Sequence, residues 1–364
     1  MKIAILAHLK HPIAQPFAGG LEAFTYEITH RLAARDNDVR LFALAGTDGR
    51  LPVEPITIRF PTRTNSPRQM HDQLSAEYIA EHHAYMNCMQ AIDNLQFDVI
   101  FNNSLHYVPI TMGGMIRTPM LTVIHTPPFF ELINATTAQH ERGGGHYCSV
   151  SRFNAHAWRE QVPECSIIPN GIALDVWTPT DTPDRSYAIW SGRFVPEKGA
   201  HHAIDAAIRA GVPLRLAGLV TDEGYFNDQI KPRLNAQVQY LGHLSRDELA
   251  RHVRHAAVSV VTPCWDEPFG LVVAESLACG TPVAAFARGA IKELASPETV
   301  ALAEPDNVDA LADAIRIAMS MSRWECRVRA EMLWDIENMV TQYEALLERI
   351  SCSRAETFAG NLNA

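Results

Sequence analysis

The sequence predicts an α/β protein built as two doubly wound parallel-sheet domains that face one another across a cleft. Three observations carry that expectation. Apolar runs of strand length alternate with helix-period patterns along the whole chain, and such alternation gives parallel sheets covered by helices on both faces. The 364 residues exceed what one core ordinarily organises and suit two domains. Near the middle, Trp177 to Asp184 is rich in Pro, Thr and Asp and reads as a linker.

Taken in order, the strand candidates are 2–7, 38–44, 97–101, 120–125, 146–150 and a short one at 165–168, then 187–191, 214–218, 237–241, 257–262, 282–286 and 299–303. Between them, Leu21, Phe24, Ile28 and Leu32 mark one helix face, and Leu74, Tyr78, Met86, Met89 and Ile92 a longer one. The boundary is placed near 170–185, giving domains 1–170 and 171–335. A last periodic helix follows at 336–350, on Ile336, Met339, Tyr343, Leu346, Leu347 and Ile350. Residues 352–364 read as a frayed tail. Ligands of doubly wound sheets collect at the carboxyl ends of strands, so each loop after a strand is a candidate for the cleft wall.

Composition narrows the function. The hydrophobic content of 47% and charged content of 20% are those of a globular protein, and the net charge of −10 argues against nucleic acid as a partner. The seven cysteines are scattered without a C-x-x-C pair, which suits reduced thiols in cytoplasm. The opening apolar run reads as a strand and is too short for a signal h-region, and no apolar run reaches membrane-spanning length. The run Arg59, Arg63, Arg68 would permit weak peripheral membrane contact, a solvated loop being the plainer reading. Nothing in the sequence indicates an oligomeric state.

The most informative segment is 263–283. Glu267 and Glu275 flank the start of an apolar helix opened by Pro268, Phe269 and Gly270 and closed by Gly280 with Pro282. Glu275 stands among Leu271, Val272, Val273, Ala274, Leu277 and Ala278, where a carboxylate is costly unless a ligand donates hydrogen bonds to it. The two hydroxyls of a sugar diol suit one carboxylate. The free N–H groups expected at 269–271 favour phosphate. Arg193 and Lys198, five residues apart in a Gly-flanked loop after strand 187–191, can grip a diphosphate from two sides. Gly19 and Gly20 allow close backbone approach just before a helix. His125 ends strand 120–125 and faces the expected cleft, with His106 a lesser candidate; His8, Lys10 and His11 lie in the first long loop.

These motifs, in this order, resemble the E-x7-E signature and its companions in retaining GT-B glycosyltransferases of family 4. Ser191 to Arg193 with Glu197 to Gly199 resembles the family's diphosphate clamp, Ile168 to Gly171 its interdomain motif, and Phe17 to Gly20 its N-terminal glycine loop. The resemblance implies two Rossmann-like domains, donor on the C-terminal one and acceptor on the N-terminal one, with the last helix crossing back onto the first domain. It places Glu267 on the transferred sugar, Glu275 on the ribose, the backbone of Phe269, Gly270 and Leu271 by the phosphates, Gly19 and Gly20 beside the phosphates and reacting sugar, and His125 near the reacting carbon. Front-face transfer with retention follows, and no metal or other cofactor is expected because Arg193 and Lys198 supply the positive charge. UDP-glucose is the first candidate donor and a hydroxyl-bearing molecule the acceptor. Arg288, Gly289 and Ala290 depart from the family's paired glycines, which argues against a ligand role for Glu293.

Alternatives are a GT-B relative acting as nucleotide-sugar epimerase, or a non-catalytic two-lobed sugar-binding protein. Asp36, Asn37 and Asp38 spell a D-x-D metal motif but sit on a helix-to-strand turn. His252 and His255 lack a third ligand, Gly143 to Gly145 reads as a flexible turn, and neither G-x-G-x-x-G nor G-x-S-x-G occurs.

Overall fold

The computed structural model describes residues 1–59, 76–141 and 144–361, with side chains to residue 352. Leu74, Arg63, Arg68 and Gly143, named above, lie outside the described residues. The first sheet holds β1 (Lys2–Ala7), β2 (Asp38–Leu44), β3 (Val53–Ile56), β4 (Val99–Asn103), β5 (Met120–Ile124), β6 (His146–Ser149) and β7 (Cys165–Ile167). The second holds β8 (Ala188–Ser191), β9 (Leu214–Ala217), β10 (Val238–Tyr240), β11 (Val258–Val261), β12 (Val283–Phe286) and β13 (Val300–Ala303). Their orders are β3-β2-β1-β4-β5-β6-β7 and β10-β9-β8-β11-β12-β13, and every pairing is parallel. Both sheets therefore reverse their winding once, between β1 and β4 and between β8 and β11, and each reversal opens a crevice at the strands' carboxyl ends.

Sequence reading missed β3 because Pro55 interrupts its pattern. At the edge of a sheet a residue without an N–H costs no ladder bond, and β3 is an edge strand. Ile3 to Ala7 are fully buried, as expected of a strand covered on both faces. One apolar cluster runs from Ile3 and Ile5 through Phe24 and Tyr343 to Val273 and Leu277, so the core continues across both domains.

Two chain crossings join the domains and lie side by side. Ile172 N–H donates to the Trp334 carbonyl at 2.6 Å, and Ile336 N–H to the Ile172 carbonyl at 3.2 Å. A Cβ on Gly171 would stand 2.5 Å from Ile336 Cα, so Gly171→Ala is expected to force the crossings apart and lower stability by about 1–3 kcal/mol, read as a lower melting temperature by circular dichroism. The helix Ile336–Asn361 packs on the helix Gly20–Ala33 and on β4 and β5; Arg31 and Arg35 pair with Glu337, and Arg35 reaches Glu344 at 3.3 Å. This helix runs to Asn361, past residue 352 where a frayed tail is expected from sequence. Asp36 adopts φ +60° in its turn, and Asn37 bonds the Leu32 carbonyl and Glu344. Among the described residues no helix is long and apolar enough to cross a membrane.

Candidate donor and acceptor cavity

The carboxyl ends of the two sheets enclose a cavity of about 860 Å³. Every candidate site residue lines it: Gly19, Gly20 and His125 from the first domain, and Arg193, Lys198, Glu267, Phe269, Gly270, Leu271 and Glu275 from the second.

Arg193 follows β8, and its guanidinium makes no hydrogen bond or ion pair with any described residue, so it is an uncommitted cation. Its Nε lies 3.9 Å from where a Cβ on Gly19 would be, which puts the glycine loop directly opposite Arg193. Lys198 ends the short 3-10 turn Pro196–Lys198. The turn is pinned from the residue that follows β11: the Thr262 hydroxyl donates to the Lys198 and Gly199 carbonyls at 3.0 and 2.9 Å, and Trp190 Nε1 donates to that hydroxyl at 3.0 Å. Gly199 has φ +64°, and a Cβ there would meet the Thr262 carbonyl at 2.2 Å, so only glycine fits.

Lys198 is not free. Its Nζ lies 2.7 Å from Glu267 Oε2, which also accepts from Trp265 Nε1 at 2.9 Å, and the ammonium stands 4.9 Å from the centre of the Trp265 ring. An ammonium has three donors, so Lys198 can hold Glu267 and still offer N–H groups to an anion. The Glu267 backbone is seated by Gly289. That residue has φ +57°, a Cβ on it would fall 2.3 Å from Glu267 N and 2.4 Å from Glu267 O, and the next amide, Ala290 N, donates to Glu267 O at 2.8 Å.

The helix begins two residues later than sequence reading places its first free amides. It spans Leu271–Ala278 with Gly270 as N-cap at φ +100°, so the first-turn amides start at Leu271 rather than Phe269. The Phe269 side chain is buried. The Leu271 side chain crosses the cleft, and a Cβ on Gly20 would touch its Cδ1 at 2.6 Å. The carboxylate of Glu275, one turn in, has no hydrogen bond or ion pair with the described residues. Burial pushes its carboxyl up to about 7, opposed by the charge of Arg246.

His125 follows β5, and its Nε2 lies 3.1 Å from Asn103 Oδ1. An amide oxygen only accepts, so Nε2 carries the proton. Burial, then the charge of His8, drives the imidazole down to about 3. His125 is therefore neutral at physiological pH, a hydrogen-bonding wall of the cavity rather than an acid.

Two residues of the site, Glu22 and Arg246, escaped sequence reading, and His8, placed from sequence in the first long loop, is buried against the first of them. His8 is 6% exposed and Glu22 5%. The backbone N–H of Lys10 donates to His8 Nδ1 at 3.1 Å, and His8 Nε2 lies 3.1 Å from Glu22 Oε1. Burial raises the Glu22 carboxyl, but the contact and charge of His8 outweigh it and hold the group below its ordinary value. The signal was the position of Glu22 within the first turn of the helix that Gly19 and Gly20 introduce. Arg246 lines the cavity, pairs with Glu27 of the first domain, and keeps a buried Nε without a partner; nothing local marks it, because the pair joins residues far apart in sequence. Glu293 lies outside the cavity lining. Its carboxylate accepts from Arg152 N at 3.1 Å and from Phe153 N, capping the helix Arg152–Ala157 of the other domain. With Ser151 Oγ donating to the Pro268 carbonyl at 2.6 Å, it ties the domains together. Metal-ligating types come together at His202, Cys264 and Asp306, away from the cavity lining, with Asp306 already paired to Arg288.

Two facing doubly wound domains with the site in the cleft between them define a GT-B protein. Residues 179–331 match the model of glycosyl transferases group 1, and residues 18–176 that of glycosyltransferase family 4. The glycogen synthase of Mycobacterium tuberculosis is 34% identical over 163 residues, covering 42% of this chain and 39% of that protein, so the chain spans well under half of that relative. The D-inositol 3-phosphate glycosyltransferase of Mycolicibacterium paratuberculosis is 26% identical over 390 residues, covering 92% of this chain and 87% of its own. The solved structure of Anabaena HepE with UDP and glucose shares the fold at a TM-score of 0.76 and 19% identity, covering 96% of this chain and 99% of that one. The chain belongs to the group 1, family 4 glycosyltransferases, a family of transferase enzymes.

Proposed function

We propose that the protein transfers a hexose, with retention of anomeric configuration, from a nucleoside diphosphate sugar to a hydroxyl acceptor, without a metal ion. The observation that carries this reading is the convergence on one cavity of an unpaired Arg193, a Lys198 with spare donors, the amides that open the helix Leu271–Ala278, and the carboxylates Glu267 and Glu275. Departure of the nucleoside diphosphate builds negative charge on the bridging oxygen. Arg193, Lys198 and the helix start are positive before that charge forms, which is electrostatic preorganisation. Glu267 keeps one oxygen for hydroxyls of the transferred sugar while Lys198 and Trp265 hold the other. Glu275 receives the ribose diol, and neutral His125 accepts from a sugar hydroxyl through Nδ1. The acceptor oxygen attacks the face that the phosphate leaves, and its proton passes to the departing phosphate. UDP-glucose is the first donor to test, in keeping with the UDP and glucose in the HepE structure.

Incubation with UDP-, GDP-, ADP- and dTDP-sugars in the presence of EDTA tests the reading. Release of nucleoside diphosphate from one donor, with an α-product by NMR from an α-donor, is expected. Strict dependence on added divalent metal, or an inverted product, contradicts it.

Glu275 adds a pH signature. A carboxyl raised to about 7 contributes stability that is present below its ordinary value and lost as pH rises through about 7. Ribose hydroxyls donate to the charged form, so UDP binding is expected to tighten by about tenfold between pH 6 and pH 8 with proton release. Calorimetry in buffers of different ionisation enthalpy reads the proton, and Glu275→Gln should abolish the dependence.

A further inference from the structure

The two domains repeat one topology, and the crevice between β8 and β11 carries the residues assigned above to the donor. The matching crevice of the first sheet lies between β1 and β4. Its walls are the loop after β1, with Lys10, and the loop after β4, with His106 and Tyr107; all three line the cavity. His106 is the N-cap of the helix Tyr107–Gly113, its Nδ1 accepting from Val108 N at 3.1 Å. With Nδ1 accepting, the proton of the neutral ring sits on Nε2. That nitrogen is buried and has no partner, although His106 is only 9% exposed. A buried donor left unmade is costly, and native structures rarely keep one without a use.

The charge around it selects the ligand. Lys10 is bound at 2.6 Å to Glu81 Oε2, so its charge is already balanced within this wall, although the ammonium keeps two N–H donors. Glu81 and Glu131 line the same wall, His82 Nδ1 is engaged with the Tyr107 hydroxyl at 2.7 Å, and burial lowers the imidazoles of His82 and His106 below their ordinary value. A phosphate dianion would meet carboxylates and neutral rings here. A polyol ring would meet a donor at His106, an acceptor at Glu81 and aromatic faces at Tyr78 and Tyr107.

We propose that His106 Nε2–H holds an oxygen of the acceptor at the β1/β4 crevice, and that this acceptor is an uncharged sugar or polyol rather than its phosphate ester. The inference rests on the glycosyl-transfer reading and adds the acceptor's chemical class and the residue that selects it.

The test runs the wild-type protein with the donor identified above against glucose, fructose and myo-inositol and, in parallel, their monophosphates. The uncharged acceptors are expected to give KM values at least about tenfold below those of the monophosphates. His106→Asn keeps an N-cap oxygen but removes the Nε2 donor. It is expected to raise the acceptor KM about tenfold while leaving the melting temperature and the Kd for UDP unchanged, because the short Asn amide falls short of the Nε2 position, and His106→Gln, whose longer side chain carries its amide donor nearer that position, should recover part of the loss. Preference for a monophosphate by the wild-type protein overturns the proposal, whatever the variants do. So does an unchanged acceptor KM in a folded His106→Asn. Failure of the wild-type protein to bind any of UDP, GDP, ADP and dTDP overturns the glycosyl-transfer reading itself, and is read separately from either result.

Discussion

Arg193→Ala is expected to lower donor turnover by about a hundredfold to a thousandfold, the range for removing one preorganised donor to a developing anion, with no loss of folding. The reason lies in its bonding. The Arg193 side chain has no partner among the described residues, so its removal leaves no buried charge uncompensated, and only the interaction with the ligand disappears. Lys198→Ala is a less clean probe of the same clamp. Lys198 holds Glu267 at 2.7 Å, so its loss frees a carboxylate in the place where a second anion is to bind, and the rate then falls for two reasons at once. Arg193→Lys separates charge from shape: it keeps the cation but not the planar fork, and should recover a fraction of the wild-type rate. Single-turnover kinetics with the preferred donor and thermal melting on the same samples check all three. Unchanged turnover in Arg193→Ala would falsify the clamp.

Gly289→Ala is expected to lower kcat/KM by about a hundredfold, though residue 289 need touch no ligand. Alanine at φ +57° is disfavoured by about 1–2 kcal/mol, and its Cβ would fall 2.3 Å from Glu267 N. Backbone must move, and a misplacement of about 1 Å in a reacting constellation can cost about a hundredfold. Gly211→Ala is the control. Gly211 has φ +75° but nothing within 4 Å of its Cβ position, so it shares the conformational penalty without the collision. Gly211→Ala should lose stability alone, and Gly289→Ala both stability and rate. Equal activity of the two variants would show that the Glu267 seat does not matter.

Much of this site was legible because its parts are local. Glu267 and Glu275 are separated by one loop and one helical turn, and Arg193 and Lys198 by one short turn, so spacing alone sets which face each can share. The loops after strands were placed by alternation of apolar runs, and the doubly wound topology then sent them to one edge. What escaped depends on pairs distant in sequence. The His8–Glu22 contact joins a strand end to a helix start, and Arg246–Glu27 joins the two domains. Glu293 looked like a damaged ligand motif and serves as a helix cap for the other domain, because the arginine at 288 is used to brace the loop below Glu267: its Nη1 donates to the Cys264 carbonyl at 2.7 Å. The helix start was misjudged because Gly270 takes a left-handed conformation that composition does not reveal. β3 was hidden by a proline that only an edge position tolerates.

The most direct test of the whole account is a crystal structure with UDP bound. The diphosphate is expected between the Arg193 guanidinium, the Lys198 ammonium and the amides of Leu271 and Val272, with the ribose hydroxyls on Glu275. UDP seated away from these groups, or ordered in the first-domain crevice beside His106, would contradict it.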